Sequence, residues 1–223
     1  HNYVNASNFV AARKVDKPYV ASAIDKEILK DTSYYRVANM SVNPMNDGAT
    51  SYFHKSIGGY HAAKPGRYQE LYYHHIAGNN MEVLNMLNVK YFMFNGEDNR
   101  LNAEQNIAAN GNAWFVYNIK MVDNANDEIS SLKSDVFNSK IEVVINKKQF
   151  TPTAIKIPID TTAIIKLTRY KANELHYKTV ATSPQLAVFS EMYYQPGWNA
   201  YLDGKKTSHF RANYVLRAME IPA

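Results

Sequence analysis

The chain has 223 residues, 46% of them hydrophobic and 20% charged, a globular composition with enough apolar material for one large domain or two ordinary ones. Its charge of +5 arises from 25 Lys and Arg against 20 Asp and Glu and is spread thinly, densest at Lys147-Lys148 and Lys205-Lys206, so no basic stripe points to nucleic acid. The lack of cysteine excludes disulfides, thiol catalysis and cysteine-ligated metal, and no apolar run approaches the roughly 20 residues that span a bilayer.

The first half mixes helical and strand signals. Ala21 to Lys30 places Ile24, Ile28 and Leu29 at helical spacing and leads into a short strand over Tyr35-Arg36-Val37-Ala38. Turn punctuation (Asn-Pro, Asn-Asp-Gly) fills Asn43 to Gly48. Arg67 to Ile76 reads as a helix with Tyr68, Leu71, Tyr72 and His75 on one stripe, and Met81 to Leu87 as a second, feeding the apolar strand Val89 to Phe94. Ala113 to Tyr117 and Lys120 to Val122 are expected to pair with each other. Asn126 to Lys133 reads as a helix begun by an Asn cap with acids in its first turn.

From about Glu142 the helical period disappears. Strands are expected over Glu142–Ile145, Ala163–Tyr170, Glu174–Ala181, Gln185–Met192, Trp198–Leu202 and Tyr214–Ile221. Lys171-Ala172-Asn173 reads as a hairpin link. Asp203-Gly204 is a stronger one, because Asp-Gly tolerates the positive φ angles of a tight turn. The expected class is therefore α+β: a mixed α/β part over residues 1–137, then an antiparallel β-sandwich over 138–223, with the boundary within Ser134 to Lys140.

The segment from Ser51 to Tyr68 concentrates Tyr, His, Lys, Arg and Gly with hardly any aliphatic filler. It reads as an ordered loop that presents Tyr52, His54, Lys55, Tyr60, His61, Lys64, Arg67 and Tyr68 to a ligand. Sugar rings stack their apolar faces on aromatics while Lys, Arg and His donate to hydroxyls or phosphate. The alternative is a loop whose aromatics pack against the rest of the domain. The 17 Tyr of the chain suit half-buried strands as well as binding surfaces.

Other chemistries fare poorly. His54, His61, His74 and His75 invite a metal, but adjacent His74 and His75 diverge on a helix, and His54 and His61 straddle Gly58-Gly59 with no carboxylate between them. No Gly-x-Ser-x-Gly elbow surrounds Ser51, Ser56 or Ser190, and Ile57-Gly58-Gly59-Tyr60 lacks a phosphate-loop pattern. Pairing Asp47, Glu70, Glu97 or Asp98 as glycosidase acids is unsupported. Neither a cofactor nor a catalytic residue is expected.

Taken in order, several stretches resemble the YfhO-like family of bacterial integral membrane proteins, in the form found in Bacteroidetes. They are Tyr35-Arg36-Val37; the block from Ser51 through Gly58-Gly59-Tyr60-His61 and Lys64 to Arg67-Tyr68-Gln69-Glu70; Leu84 to Phe92; and Gly111 to Val116. In the second half they are Leu186 to Glu191, Tyr193-Tyr194, Gly197-Trp198, Tyr201 to Lys205, and Asn213 to Ala218.

The resemblance implies a polytopic glycosyltransferase of the C type, whose catalytic carboxylate lies among membrane helices, with this chain as its extracytoplasmic part. That part would be non-catalytic by itself and periplasmic. Its partners would be the transmembrane part of the same polypeptide and a glycan or lipid-linked sugar, with no nucleic acid. Because His1 is not an initiator, the chain is expected to be a fragment or a processed product, and similar proteins continue beyond Ala223 with a Gly-x-His strand. A free-standing carbohydrate-binding or adhesion module is the rival reading, and an independent hydrolase a third.

Overall fold

The computed structural model describes residues 19–60, 63–133, 135–152 and 157–223. The first helix, α1 (Ala23–Ile28), is started by a capping box: Ser22 Oγ accepts the Asp25 N–H at 3.1 Å while the Asp25 carboxylate accepts the Ser22 N–H at 2.8 Å. Strand β1 (Arg36–Asn39) follows, then α2 (Ala49–Phe53). Helix α3 (Gly66–Leu71) passes directly into a π-helical turn, Tyr72–Ile76, so the single expected helix has a widened second half. His75 and Ile76 of that turn are buried, as is Leu71.

Asn80 caps α4 (Met81–Met86), whose Val83, Leu84 and Met86 are fully buried. Asn88, at φ 57°, reverses the chain from that helix into β2 (Val89–Asn95). Asn takes this left-handed conformation more readily than most residues do. Strand β2 lies parallel to β1 and antiparallel to β3 (Leu101–Gln105), giving a sheet in the order β1-β2-β3.

Strands β4 (Ala113–Val116) and β5 (Asn118–Val122) do not pair with each other as expected. A single residue, Tyr117, separates them, too few for a hairpin loop. Instead β5 lies parallel to β6 (Glu142–Asn146), and β4 pairs antiparallel with β9 (Gln185–Met192). Between β5 and β6 runs α5 (Ala125–Ser130), capped by Asn124 with Asp127 and Glu128 in its first turn. The expected boundary after residue 137 therefore runs through two hydrogen-bonded strand pairs. It also runs through the main core cluster, which joins Leu71, Leu84 and Leu87 to Val144, Leu186 and Leu216.

The C-terminal region is strand-rich and antiparallel. Strands β7 (Ile164–Lys171) and β8 (Glu174–Val180) form a ribbon turned at Ala172-Asn173. A smaller ribbon joins β10 (Ala200–Leu202) to β11 (Lys205–Thr207) through Asp203 and Gly204, at φ 48° and 78°. These are the two positive angles of a tight primed turn. The central sheet has the order β12-β13-β9-β4, with β12 spanning Phe210–Ala212 and β13 spanning Leu216–Ile221.

One face of that sheet joins the main core through Val188, Leu216 and Ala218. The other, carrying Ala187, Phe189, Met219 and Ile221, is covered by Ile165 and Tyr177 of the β7–β8 ribbon and by Ala200 and Leu202 of the smaller one. The fold is thus α+β with a β-sandwich in its second half.

Candidate functional site

The segment from Ser51 to Tyr68 is more deeply built into the fold than a presenting loop would be. Its start is the end of α2, and Lys55 to Ile57 then runs alongside β1. The Val37 N–H donates to the Lys55 carbonyl at 2.9 Å and the Ile57 N–H to the Val37 carbonyl at 3.1 Å. The Gly58-Gly59 pair answers to close packing: a Cβ on Gly58 would lie 2.0 Å from the Pro44 carbonyl oxygen, and the Gly59 N–H donates to that oxygen at 2.7 Å with φ at 136°.

The structure separates the side chains expected to form one surface. His54 is buried, and its Nε2 lies 2.9 Å from Asp25 Oδ1. Burial works against ionisation of Asp25, but bonds from Ser22 and His54 outweigh it and hold the carboxyl below its ordinary range. Tyr68 donates its hydroxyl to the Ile57 carbonyl, and burial pushes its pKa up to about 12. Arg67 reaches Glu128 at 3.3 Å and the Tyr214 carbonyl at 3.2 Å while lying over the Tyr214 ring. Lys64 donates to the Met45 carbonyl. Tyr52 and Tyr60 are exposed, Tyr52 edge-on to Tyr19 at 5.4 Å. His61 lies outside the described residues.

Lys55 alone leads to a site. Its ammonium lies 4.7 Å from the ring centroid of Tyr34 and 5.2 Å from that of Tyr170, two rings stacked at 3.8 Å. Burial, followed by the nearby Glu191 carboxylate, pushes the Tyr34 phenol well above its ordinary pKa, so it stays a neutral donor. The Tyr34 carbonyl accepts from the Asn88 amide at 3.0 Å and the Asn112 amide at 2.8 Å.

These amides line an open cleft of about 230 Å³ together with Ser33, Lys90, Gln105 and Asn106. Asn106 is itself anchored, its amide donating to Asn85 Oδ1 and to the Val89 carbonyl, both at 2.8 Å. Asn88, Asn106 and Asn112 each spend amide N–H donors within the protein. The exposed Gln105 amide offers donor and acceptor side by side, the pairing that vicinal hydroxyls require. The cleft can therefore hold a neutral polyhydroxylated group, with Tyr34 as an aromatic residue of its lining.

A second, larger cleft of about 340 Å³ opens beside the π-helical turn and is lined by His74, His75, Asn79, Asn80, Lys133 and Asp135 among others. Both nitrogens of His75 are engaged, Nε2 with the Ile129 carbonyl at 2.8 Å and Nδ1 with the Asn80 amide at 3.0 Å. Burial lowers its pKa and leaves it a neutral structural imidazole. Among the described residues no group of three or more His, Asp or Glu could hold a metal ion.

Among known proteins, no family model, no curated protein and no solved structure matches this chain. Tyr34 and Tyr170 escaped the sequence reading because residues far apart in the chain make the pair. The amide-rich run Gln105-Asn106-Ile107-Ala108-Ala109-Asn110-Gly111-Asn112 was the local signal that could have marked the cleft.

Proposed function

We propose that this chain is a glycan-recognising module, the extracytoplasmic portion of a polytopic, YfhO-like, glycosyltransferase-like membrane protein, and is non-catalytic by itself. The observation that carries the recognition role is the amide-lined cleft that includes Tyr34, whose ring stacks on Tyr170 with Lys55 beside both rings. An exposed amide in a polar cleft that includes an aromatic residue fits a sugar better than an apolar ligand or a polyanion. The membrane context rests on the sequence resemblance. No helix among the described residues is long and apolar enough to cross a membrane, so spanning segments would have to lie in flanking sequence.

The test is saturation-transfer NMR of the chain against a panel of neutral oligosaccharides. Binding should weaken at least fivefold in Gln105→Ala and in Tyr170→Ala, neither of which removes a core side chain. Saturation transfer from no sugar, or affinity unchanged from wild type in both variants, refutes the recognition role. A free-standing adhesion module would show the same binding, and translation of the flanking gene separates the two through the presence or absence of membrane spans.

A further inference from the structure

The outer end of the central sheet carries a feature that the cleft does not use. Arg211 of β12 and Arg217 of β13 stand directly opposite each other in the antiparallel register. Like charges in that relation repel and destabilise a strand pair. Each guanidinium is seated on an aromatic ring: Arg217 lies 4.1 Å from the Trp198 centroid and Arg211 5.9 Å from that of Tyr193. Seating of this kind restricts a long side chain and leaves its donor fork presented.

Neither fork is neutralised locally. Arg217 donates its Nε to the Met192 carbonyl at 2.8 Å, and its terminal nitrogens have no protein partner among the described residues. Arg211 Nε is buried with no hydrogen-bond partner. The carboxylates that attract them most strongly are already engaged elsewhere, Glu191 with Arg36 at 3.5 Å and Glu128 with Arg67 at 3.3 Å.

His209, two residues before Arg211 and just ahead of β12, adds a third donor. Its ring lies 5.4 Å from Tyr193, and its Nε2 is likewise buried without a partner. Burial lowers the pKa of both guanidiniums and of His209, so each would gain from an anion placed among them.

We propose that Arg211, Arg217 and His209 form a binding site for a phosphoryl group. Two guanidinium charges without a carboxylate of their own match a near-dianion. A phosphomonoester carries a charge of about −1.5 to −2 at neutral pH, whereas a carboxylate carries one negative charge. A phosphorylated sugar and a lipid headgroup both carry this chemistry, and Tyr193 and Trp198 beside the forks would contact whatever is esterified to the phosphate. The site shares no residue with the lining of the amide-lined cleft.

The test uses the intact chain. Glucose 1-phosphate is titrated at constant ionic strength while the arginine Nε–Hε resonances are followed by NMR, and vesicles containing phosphatidic acid are co-sedimented in parallel. Saturable shifts of the Arg211 and Arg217 signals, with at least tenfold weaker binding in Arg211→Gln/Arg217→Gln, are expected. Sedimentation without a response to the sugar phosphate would assign the phosphoryl group to a lipid.

Arg217→Lys keeps the charge and removes the fork, so it should weaken binding severalfold. If the double variant fails to fold, the wild-type resonances decide. Absence of arginine shifts with both probes, or unchanged affinity in a folded double variant, overturns the site. Neutral oligosaccharides should leave these resonances unmoved, which separates this outcome from the test of the cleft.

Discussion

Glu128 offers the sharpest test of how the two halves of the chain are joined. Its side chain is fully buried, its Oε1 accepts the Tyr214 N–H at 3.0 Å, and its Oε2 lies 3.3 Å from Arg67. Tyr214 sits at φ 70°, directly after Asn213 at φ 46°, a left-handed pair that bulky residues avoid. Backbone strain of this kind costs on the order of 1–3 kcal/mol and persists only where surrounding bonds hold it. Glu128→Ala removes the acceptor of the Tyr214 N–H and the partner of Arg67.

A buried group left without its charged partner costs about 3–5 kcal/mol. Arg67 keeps 30% of its side-chain surface in water and can rehydrate, so the expected loss is at the low end, about 3 kcal/mol. For a chain of this length that is a fall in Tm of roughly 6–12 °C, read by circular dichroism. Burial is the dominant influence on Glu128 and raises its pKa despite the Tyr214 and Arg67 contacts. A carboxyl raised in the fold contributes stability that is fully present below its unfolded pKa and is lost as pH rises through its folded value. Glu128→Gln retains an acceptor for Tyr214 and carries no charge to bury, so it should cost about 1 kcal/mol or less. Equal destabilisation by Ala and Gln would refute the view that the acceptor, rather than the charge, is what matters.

Gly58→Ala should lose about 2 kcal/mol or more in urea unfolding, because the added methyl meets the Pro44 backbone at 2.0 Å and a backbone oxygen cannot rotate aside; a change under a few tenths would refute it. His54→Ala should cost about 1–3 kcal/mol by unfilling a buried site and stripping Asp25 of a donor, while leaving oligosaccharide affinity unchanged. The depressed Asp25 pKa contributes stability that is present above the ordinary carboxylate range and is lost as pH falls through its folded value. Acid titration of Asp25→Asn should therefore show a shallower loss than wild type at the acid end.

Elements whose partners are local were legible from residue pattern. Strand β9 falls where its run of apolar residues places it, and the Asp203-Gly204 turn has the positive angles its composition requires. What could not be read is what distant residues decide. Strand β4 looked like a partner for β5 because the two are adjacent in sequence, whereas its hydrogen bonds go to β9. Strand β12, only three residues long, lacked the length to show alternation.

Which side chains of the expected binding surface face outward is decided in the same way. Polar composition marked Ser51 to Tyr68 as unusual, but His54, Arg67 and Tyr68 use their polar tips on Asp25, Glu128 and the Ile57 carbonyl. A residue's type reveals that it needs a partner, and only the fold reveals whether that partner is the protein itself. Conversely, Arg211 and Arg217 carried no sequence signal, since nothing local announces that two arginines will face each other across a strand pair.

The pairing of β4 with β9 also constrains how the molecule can be made. Trp114 and Val116 must wait for a strand some seventy residues later, so during ribosomal synthesis a hydrophobic edge stays uncovered until the tail has emerged. Non-local closure of this kind slows folding and exposes the nascent chain to proteases and sticky neighbours. Expression of the first 137 residues alone should therefore yield an aggregation-prone product, and supplying the remainder in trans should rescue it.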